Sequence, residues 1–436
     1  NWFFDQWIET DKRIDYAVRG VKSKHKDSGQ TIRLRRVGDL HMPIDLRVIA
    51  RDGKEYDFHI PNTWFEKSTT ATVLPRWIGY DDLERVHFAQ VDIPSGIQNV
   101  IIDPTNRLAD AYKVNDQLVP PIEITFDHHI GNRPDRKIYQ AFVRPDLWWN
   151  GYDGMKVGVH LNSSYLKYKH RVHFSAWLNT GIGQYLPATN RSQMDTVPGN
   201  KDTGYDPASF NFRYENGTEK LLKGSSVFVY ARMLDGLERY GGGFNWLLPN
   251  KRTEISAGLV YLLRRDSTDL TYLLYPDQWE VNKLNGYLEI GLKHRYEYGG
   301  SNGAIRIDLR NSAVGSASKY AQVKITATNE NKLGKLKLHT RLFGQYGSGN
   351  TPRESALFLA GANPEEMMDN KYVRSVGIVP YDYLGYGSDE WKTLSATSSG
   401  FSRGVQRGTM RLPVDGQRFE VVYHLLSLAQ NARLRL

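Results

Sequence analysis

Between Leu284 and Tyr346 the chain switches between apolar and polar at every second residue. Leu284, Gly286, Leu288, Ile290 and Leu292 share one parity, and Asn285, Tyr287, Glu289, Gly291 and Lys293 share the other. Ile305, Ile307 and Leu309 alternate with Arg306, Asp308 and Arg310, and Ala321, Val323, Ile325 and Ala327 alternate with Gln322, Lys324 and Thr326. Lys335, Lys337, His339 and Arg341 then interleave with Leu336, Leu338, Thr340 and Leu342. Successive side chains of a strand point to opposite faces, so this period of two predicts strands with one apolar and one charged face. A helix would scatter both sets.

One such segment also suits a two-sheet sandwich whose apolar face lies in a core. Repetition favours a different architecture. Similar segments recur at Val157 to Tyr168, Val172 to Asn179, Val227 to Met233, Ile255 to Leu263 and Phe419 to Leu425, with polar, Gly-rich and unequal connections between them. Many short strands, apolar on one side and polar on the other, predict an antiparallel transmembrane β-barrel of about 12 to 16 strands.

The remainder is organised differently. Trp2, Phe3, Trp7, Ile14 and Val18 recur at helix-like spacing without Gly or Pro between them, which predicts a helix over residues 1–18. Strands are expected at Thr31 to Val37, Ile44 to Ala50, Glu55 to Ile60, Arg85 to Ile93 and Asn99 to Ile102, with Asp52-Gly53 as a hairpin turn. The fold class is therefore all-β: a small soluble β-sandwich over 19–116, a linker over 117–143 that contains Pro120-Pro121, and the barrel over 144–436. The connections Thr180 to Asn211 and Asn350 to Met410 are expected as loops, with the apolar stretch Leu357 to Pro364 folded back into the lumen or against a partner.

Composition sharpens this picture. A chain of 436 residues exceeds one ordinary domain. Its 26 Tyr and 10 Trp suit the aromatic girdles of an outer-membrane barrel. No run of about 18 apolar residues is present, so a bilayer could be crossed only by strands. With no Cys, disulfides, thiolate-bound zinc and thiol nucleophiles are excluded together. The net charge of +9 would suit nucleic acid, but the cations alternate with apolar residues along strands and are read as a solvated lumen. Outer-membrane lipid is the expected partner and nucleic acid is not. The chain starts at Asn1 without Met or a signal peptide, and it ends Ala432-Arg433-Leu434-Arg435-Leu436 instead of on an aromatic strand end. A longer precursor is expected at both ends.

Candidate chemistry is sparse. Tyr240-Gly241-Gly242-Gly243-Phe244 follows a strand but opens no helix, so it is read as a hairpin turn and not a phosphate loop. Asp81-Asp82 and Glu365-Glu366 are adjacent acids of solvated loops, no serine nucleophile elbow occurs, and the acceptor triplet Asn162-Ser163-Ser164 falls within a strand. None of the 12 His stands in a His-Glu-x-x-His helix; His128-His129 are adjacent, and His170 and His173 in one strand point to opposite faces. No catalytic, cofactor-binding or metal residue is expected in this chain.

Three stretches carry a resemblance. Trp2-Phe3-Phe4-Asp5-Gln6-Trp7-Ile8, with Met42-Pro43-Ile44-Asp45 downstream, resembles the junction where the catalytic domain of aminopeptidase-N-type gluzincin metallopeptidases meets a β-sandwich. Ile102 to Asp110 looks like the close of that sandwich in membrane-linked bacterial members of Bacteroidota type, and Arg144 to Gly154 looks like their entry into an outer-membrane barrel. The resemblance implies an outer-membrane anchor and brace for a zinc aminopeptidase whose catalytic domain, zinc and peptide substrate all lie upstream, with the soluble part in the periplasm. A docking subunit of an outer-membrane assembly or secretion complex, with a surface-antigen-like barrel, is the alternative. A passive pore is a third reading.

Overall fold

The computed structural model describes residues 2–25, 28–62, 65–78, 84–128, 131–150, 154–183, 207–219, 221–234, 236–265, 280–333, 336–355, 407–414 and 417–424. Among the described residues the chain is all-β apart from a short helix, α1 (Trp2–Trp7), and brief 3-10 turns. It divides into two compact units, Asn1–Phe142 with Ser163–Lys167, and Val143–Asn162 with Tyr168–Leu436.

The first unit holds strands β1 (Tyr16–His25), β2 (Ser28–Arg36), β3 (Ile44–Ala50), β4 (Glu55–Ile60), β5 (Thr72–Val73), β6 (Val86–Val91) and β7 (Ile97–Ile102). They form two sheets, ordered β1-β2-β6 and β5-β4-β3-β7. One core joins them: Tyr16, Ile32, Leu34 and Ala89 from the first sheet meet Ile44, Leu46, Val48, Phe58 and Val100 from the second. Alternation puts them there, since every second residue of β3 is buried from Ile44 to Ala50. Burying each large aliphatic side chain contributes about 1.5–3 kcal/mol before chain entropy is subtracted. The β3–β4 hairpin turns at Asp52-Gly53, where Gly53 has φ +83° and the Asp52 carboxylate accepts the Lys54 amide at 3.2 Å. A left-handed φ of that kind favours glycine.

The expected helix over residues 1–18 is corrected. Helix α1 stops at Trp7, and Tyr16 already begins β1. Pairing with β2 shifts register between Val18 and Gly20, a bulge that interrupts strand alternation and leaves a spacing that imitates a helix.

A third, large sheet contains fourteen strands. They are β8 (Ile122–Phe126), β9 (Tyr139–Asn150), β10 (Gly154–Tyr165), β11 (Lys169–Asn179), β12 (Ala208–Gly217), β13 (Ser225–Leu234) and β14 (Leu237–Leu247). The series continues with β15 (Thr253–Arg264), β16 (Leu284–Tyr298), β17 (Ser301–Ser312), β18 (Tyr320–Leu333), β19 (Leu336–Gly349), β20 (Arg407–Val414) and β21 (Gln417–His424). Sequence neighbours pair from β8 to β19, after which the order is β19-β21-β20. Among the described residues β8 and β20 are the two edges and the sheet is not closed. The stretch expected as a linker over 117–143 contains β8 and the start of β9.

Cross-strand register gives this sheet two unlike faces. One carries the row Ile255, Leu292, Ile307 and Ile325, and the next row Ala257, Ile290, Leu309 and Val323. The other carries Ser256, Gly291, Asp308 and Lys324, followed by Gly258, Glu289, Arg310 and Gln322. Burial runs opposite to that of a water-soluble protein. Leu288, Ile290 and Leu292 are 46%, 47% and 42% exposed, while Asn285 and Tyr287, of the opposite parity on the same strand, are 4% and 0% exposed.

Tyr240-Gly241-Gly242-Gly243-Phe244 is not a turn but the middle of β14, paired on both sides with β13 and β15. The reason is steric. A Cβ on Gly241 would lie 2.5 Å from the Tyr230 hydroxyl, and one on Gly243 would lie 2.9 Å from the Phe228 ring. The glycines form a floor beneath two aromatic rings of the neighbouring strand, an arrangement that fixes register through aromatic cover of glycine. Gly286 with Tyr261 and Gly303 with Tyr296 repeat it, the would-be Cβ atoms falling 2.6 Å and 2.5 Å from ring carbons.

Candidate functional site

The polar face of the large sheet is densely paired. Arg310 donates to Glu289 on the neighbouring strand, and its guanidinium lies 4.2 Å from the centre of the Tyr287 ring. Arg306 donates to Asp308 at 2.7 Å and stands 3.9 Å from Glu289. Further along, Glu215 accepts from Arg171 and, at 3.2 Å, from Arg213, which covers the Phe228 ring at 4.7 Å. Lys156, fully buried, donates to Asn179 at 2.7 Å and Ser209 at 3.0 Å. Each of these charges therefore has a partner, which is the condition for holding it out of bulk water. Glycine and aromatic residues space the ion pairs along the same face.

Next to this ladder sits a buried turn, Arg353–Ser355, which follows β19. Glu354 accepts from the Arg264 Nε at 2.7 Å, and the Ser355 hydroxyl accepts from the Asn285 amide at 3.0 Å. The sequence signal for Arg264 is its parity with Val260 and Leu262, which places it on the buried face one residue past the expected strand end at Leu263. Glu354 carries no periodic signal at all.

A second cluster belongs to the first unit. Asp103 accepts the Arg107 and Leu108 amides at 2.9 Å and 2.7 Å and the Lys113 ammonium at 3.2 Å. Asp110 accepts the Tyr16 and Tyr112 amides, both at 2.7 Å, and thereby ties the start of β1 to a segment 94 residues downstream. Asp116 lies 3.9 Å from the Lys113 ammonium, and the Asp15 carboxylate accepts from Asn115 at 3.0 Å. A cavity of about 240 Å³ adjoins the cluster, lined by Arg47, Glu55, Asp103, Lys113, Asp116 and Lys137 among others.

Electrostatics follow from this crowding. Burial first, then the neighbouring Asp15, pushes the Asp110 carboxyl up to about 6, against the two amide bonds that favour its charged form. Asp116 is also raised, by burial and then by Asp110. A carboxyl whose folded-state affinity for protons exceeds its unfolded one stabilises the fold below the ordinary carboxylate range and loses that contribution as pH rises. The contribution of the Asp110 carboxyl to the stability of the first unit is therefore expected to fall on going from pH 4 to pH 6, by on the order of 1 kcal/mol per pH unit. His41, lowered to about 4 by burial and then by Arg36, works in the opposite direction below its ordinary value. Comparison of Asp110→Asn with the parent in urea titrations across that range isolates the carboxyl; a parallel pair of pH profiles would contradict the assignment.

Among the described residues, no group of three or more His, Asp or Glu could hold a metal ion. His170 and His173 stand as the alternation predicts, His170 against Tyr214 at 2.9 Å and His173 in register with Arg213. His129, Asp81-Asp82, Leu357 to Pro364 and Glu365-Glu366 lie outside the described residues.

No family profile matches the chain. A stretch of 56 residues is 55% identical to a subunit of NADH-quinone oxidoreductase from Legionella pneumophila (strain Corby), which is 13% of this chain and 25% of that protein. The same subunit of Halorhodospira halophila is 48% identical over 68 residues, and that of Coxiella burnetii (strain Dugway 5J108-111) 47% over 57 residues. The chain thus spans about a quarter of the length of these curated relatives. Acinetobacter baumannii OccAB1 superposes over 78% of this chain and 85% of its own, at 10% identity and a TM-score of 0.26, too low to bear on the fold. The expected membership of the aminopeptidase-N-type metallopeptidases is corrected by these findings. The curated likeness is to an unrelated oxidoreductase subunit and is confined to one short stretch. Short runs such as Trp2 to Ile8 are too brief to carry a family, and here α1 is six residues long.

Proposed function

We propose that this chain is an outer-membrane β-barrel anchor, the fourteen-stranded sheet closing in the bilayer with its apolar face toward lipid. The two-sheet first unit is proposed to stand in the periplasm as the part that braces or docks a partner. The observation that carries the reading is the inverted burial of β16: apolar Leu288, Ile290 and Leu292 exposed, Asn285 and Tyr287 sheltered. In water such a face would be a liability, whereas hydrocarbon makes it the favourable one.

Three further features support it. All backbone pairing from β8 to β19 is between sequence neighbours, which satisfies the ladder groups without a helix. No described helix is long and apolar enough to cross a membrane, so any crossing by the described residues would be made by strands. The described connections include tight turns at 166–168 and 299–300, of the kind that joins neighbouring strands of outer-membrane barrels.

The test is fractionation followed by gel mobility. A barrel is expected in the outer-membrane fraction, with a folded band that shifts on boiling and protease-resistant strands in lipid vesicles. Recovery as a water-soluble monomer with no heat-dependent shift would end this reading.

A further inference from the structure

The buried turn Arg353–Ser355 is anchored more elaborately than a connection between strands requires. Its amide closes on Pro352 at 3.0 Å, and its side chains and backbone reach three different strands of the polar face. Glu354 holds Arg264 of β15, Ser355 holds Asn285 of β16, and the Ser355 carbonyl accepts from Gln322 of β18 at 3.0 Å. The Tyr320 hydroxyl closes the ring, donating to Asn285 at 3.0 Å. Beside these partners stand Leu262, Val260 and Tyr287, an apolar group on a face otherwise lined by charge.

Ion pairs of this kind contribute little net stability over an apolar replacement, yet removing one partner is costly, which suits a contact with two discrete states. Arg264 and Glu354 are 1% and 5% exposed, so water does not screen them while the turn is seated. Lifting the turn would hydrate both at once and uncover the polar face beneath.

We infer that this turn is a latch that keeps the barrel interior shut to small hydrophilic solutes, held by the Arg264–Glu354 pair and the Asn285–Ser355–Tyr320–Gln322 bonds. The inference rests on the barrel reading and deepens it: the anchor is also a gated conduit, closed at rest.

Purified full-length chain in planar lipid bilayers tests it. The parent is expected to open rarely, Glu354→Ala to raise open probability on the order of 100-fold, and the exchange of Arg264→Glu with Glu354→Arg to restore closure. Inserted Glu354→Ala that is as quiet as the parent, or a parent that already conducts as freely as Glu354→Ala, overturns the latch alone. A chain that never inserts overturns the barrel and the latch with it. Because the parent has no Cys, Ser355→Cys in the otherwise intact chain gives an independent readout even if Glu354→Ala does not fold. Its reaction with a membrane-impermeant maleimide is expected to be on the order of 100-fold slower than that of Val314→Cys, a position 93% exposed. Equal rates would overturn the proposal.

Discussion

Arginine in place of Ile290 is expected to cost about 2–4 kcal/mol of stability in lipid, because position 290 lies in the apolar row between Ala257 and Leu309 and a guanidinium there would face hydrocarbon. On a water-facing sheet the same change at a residue 47% exposed would fall within about 0.5 kcal/mol. The two environments therefore predict opposite outcomes from one substitution. Urea titration of vesicle-reconstituted protein, followed by the fraction of heat-shifted band, measures the difference. Lys293→Gln, of the other parity on the same strand, serves as the control and is expected to change little. A neutral Ile290→Arg would mean that this face meets water.

Lys113→Met is expected to destabilise the first unit by about 3–5 kcal/mol. Lys113 is 4% exposed and is the cation shared by Asp103 at 3.2 Å and Asp116 at 3.9 Å, so its loss leaves buried carboxyls without their counter-charge. Methionine keeps most of the volume, which separates the charge from the packing. Hydrogen exchange at the Tyr16 and Tyr112 amides, both bonded to Asp110 in the same cluster, is the readout; protection there is expected to drop by about two to four orders of magnitude, in line with that loss of about 3–5 kcal/mol. Adding Asp116→Asn is expected to recover part of it by removing one of the stranded acids. Unchanged protection would show that the cluster is held by its amide bonds alone.

Legibility in the sequence tracked how local the determining physics is. The strands Ile44–Ala50 and Glu55–Ile60 were readable to the residue, since alternation and an Asp-Gly turn are properties of adjacent positions. Tyr16–His25 was not, because a bulge at Val18/Gly20 breaks the period of two. The strand Leu237–Leu247 was hidden by its own glycines, which look like a turn until the Tyr230 and Phe228 rings that lie across them are seen. Ala208–Gly217 alternates well, with Phe210, Phe212 and Tyr214 on one side, but it was absorbed in part into a long polar connection. The peptidase resemblance failed for the complementary reason: short runs of Trp, Phe and Pro recur in unrelated chains, and no extended likeness backs them.

The candidate sites were the least legible part. Arg264 and Glu354 are 90 residues apart, and Tyr16 and Asp110 are 94 apart, so no window of sequence contains either pair. Periodicity assigns a residue to a face but says nothing of which distant segment returns to that face.

By itself, then, the sequence determined that the chain is all-β and which parity of each strand is apolar, because side-chain direction in a strand is fixed by backbone geometry one residue at a time. Only the tertiary structure decided that β21 and not β20 pairs with β19, and that the turn at 353–355 settles on the charged face. Those are outcomes of long-range pairing and burial, whose free energy depends on segments far apart in the chain and so leaves no periodic trace in any one of them.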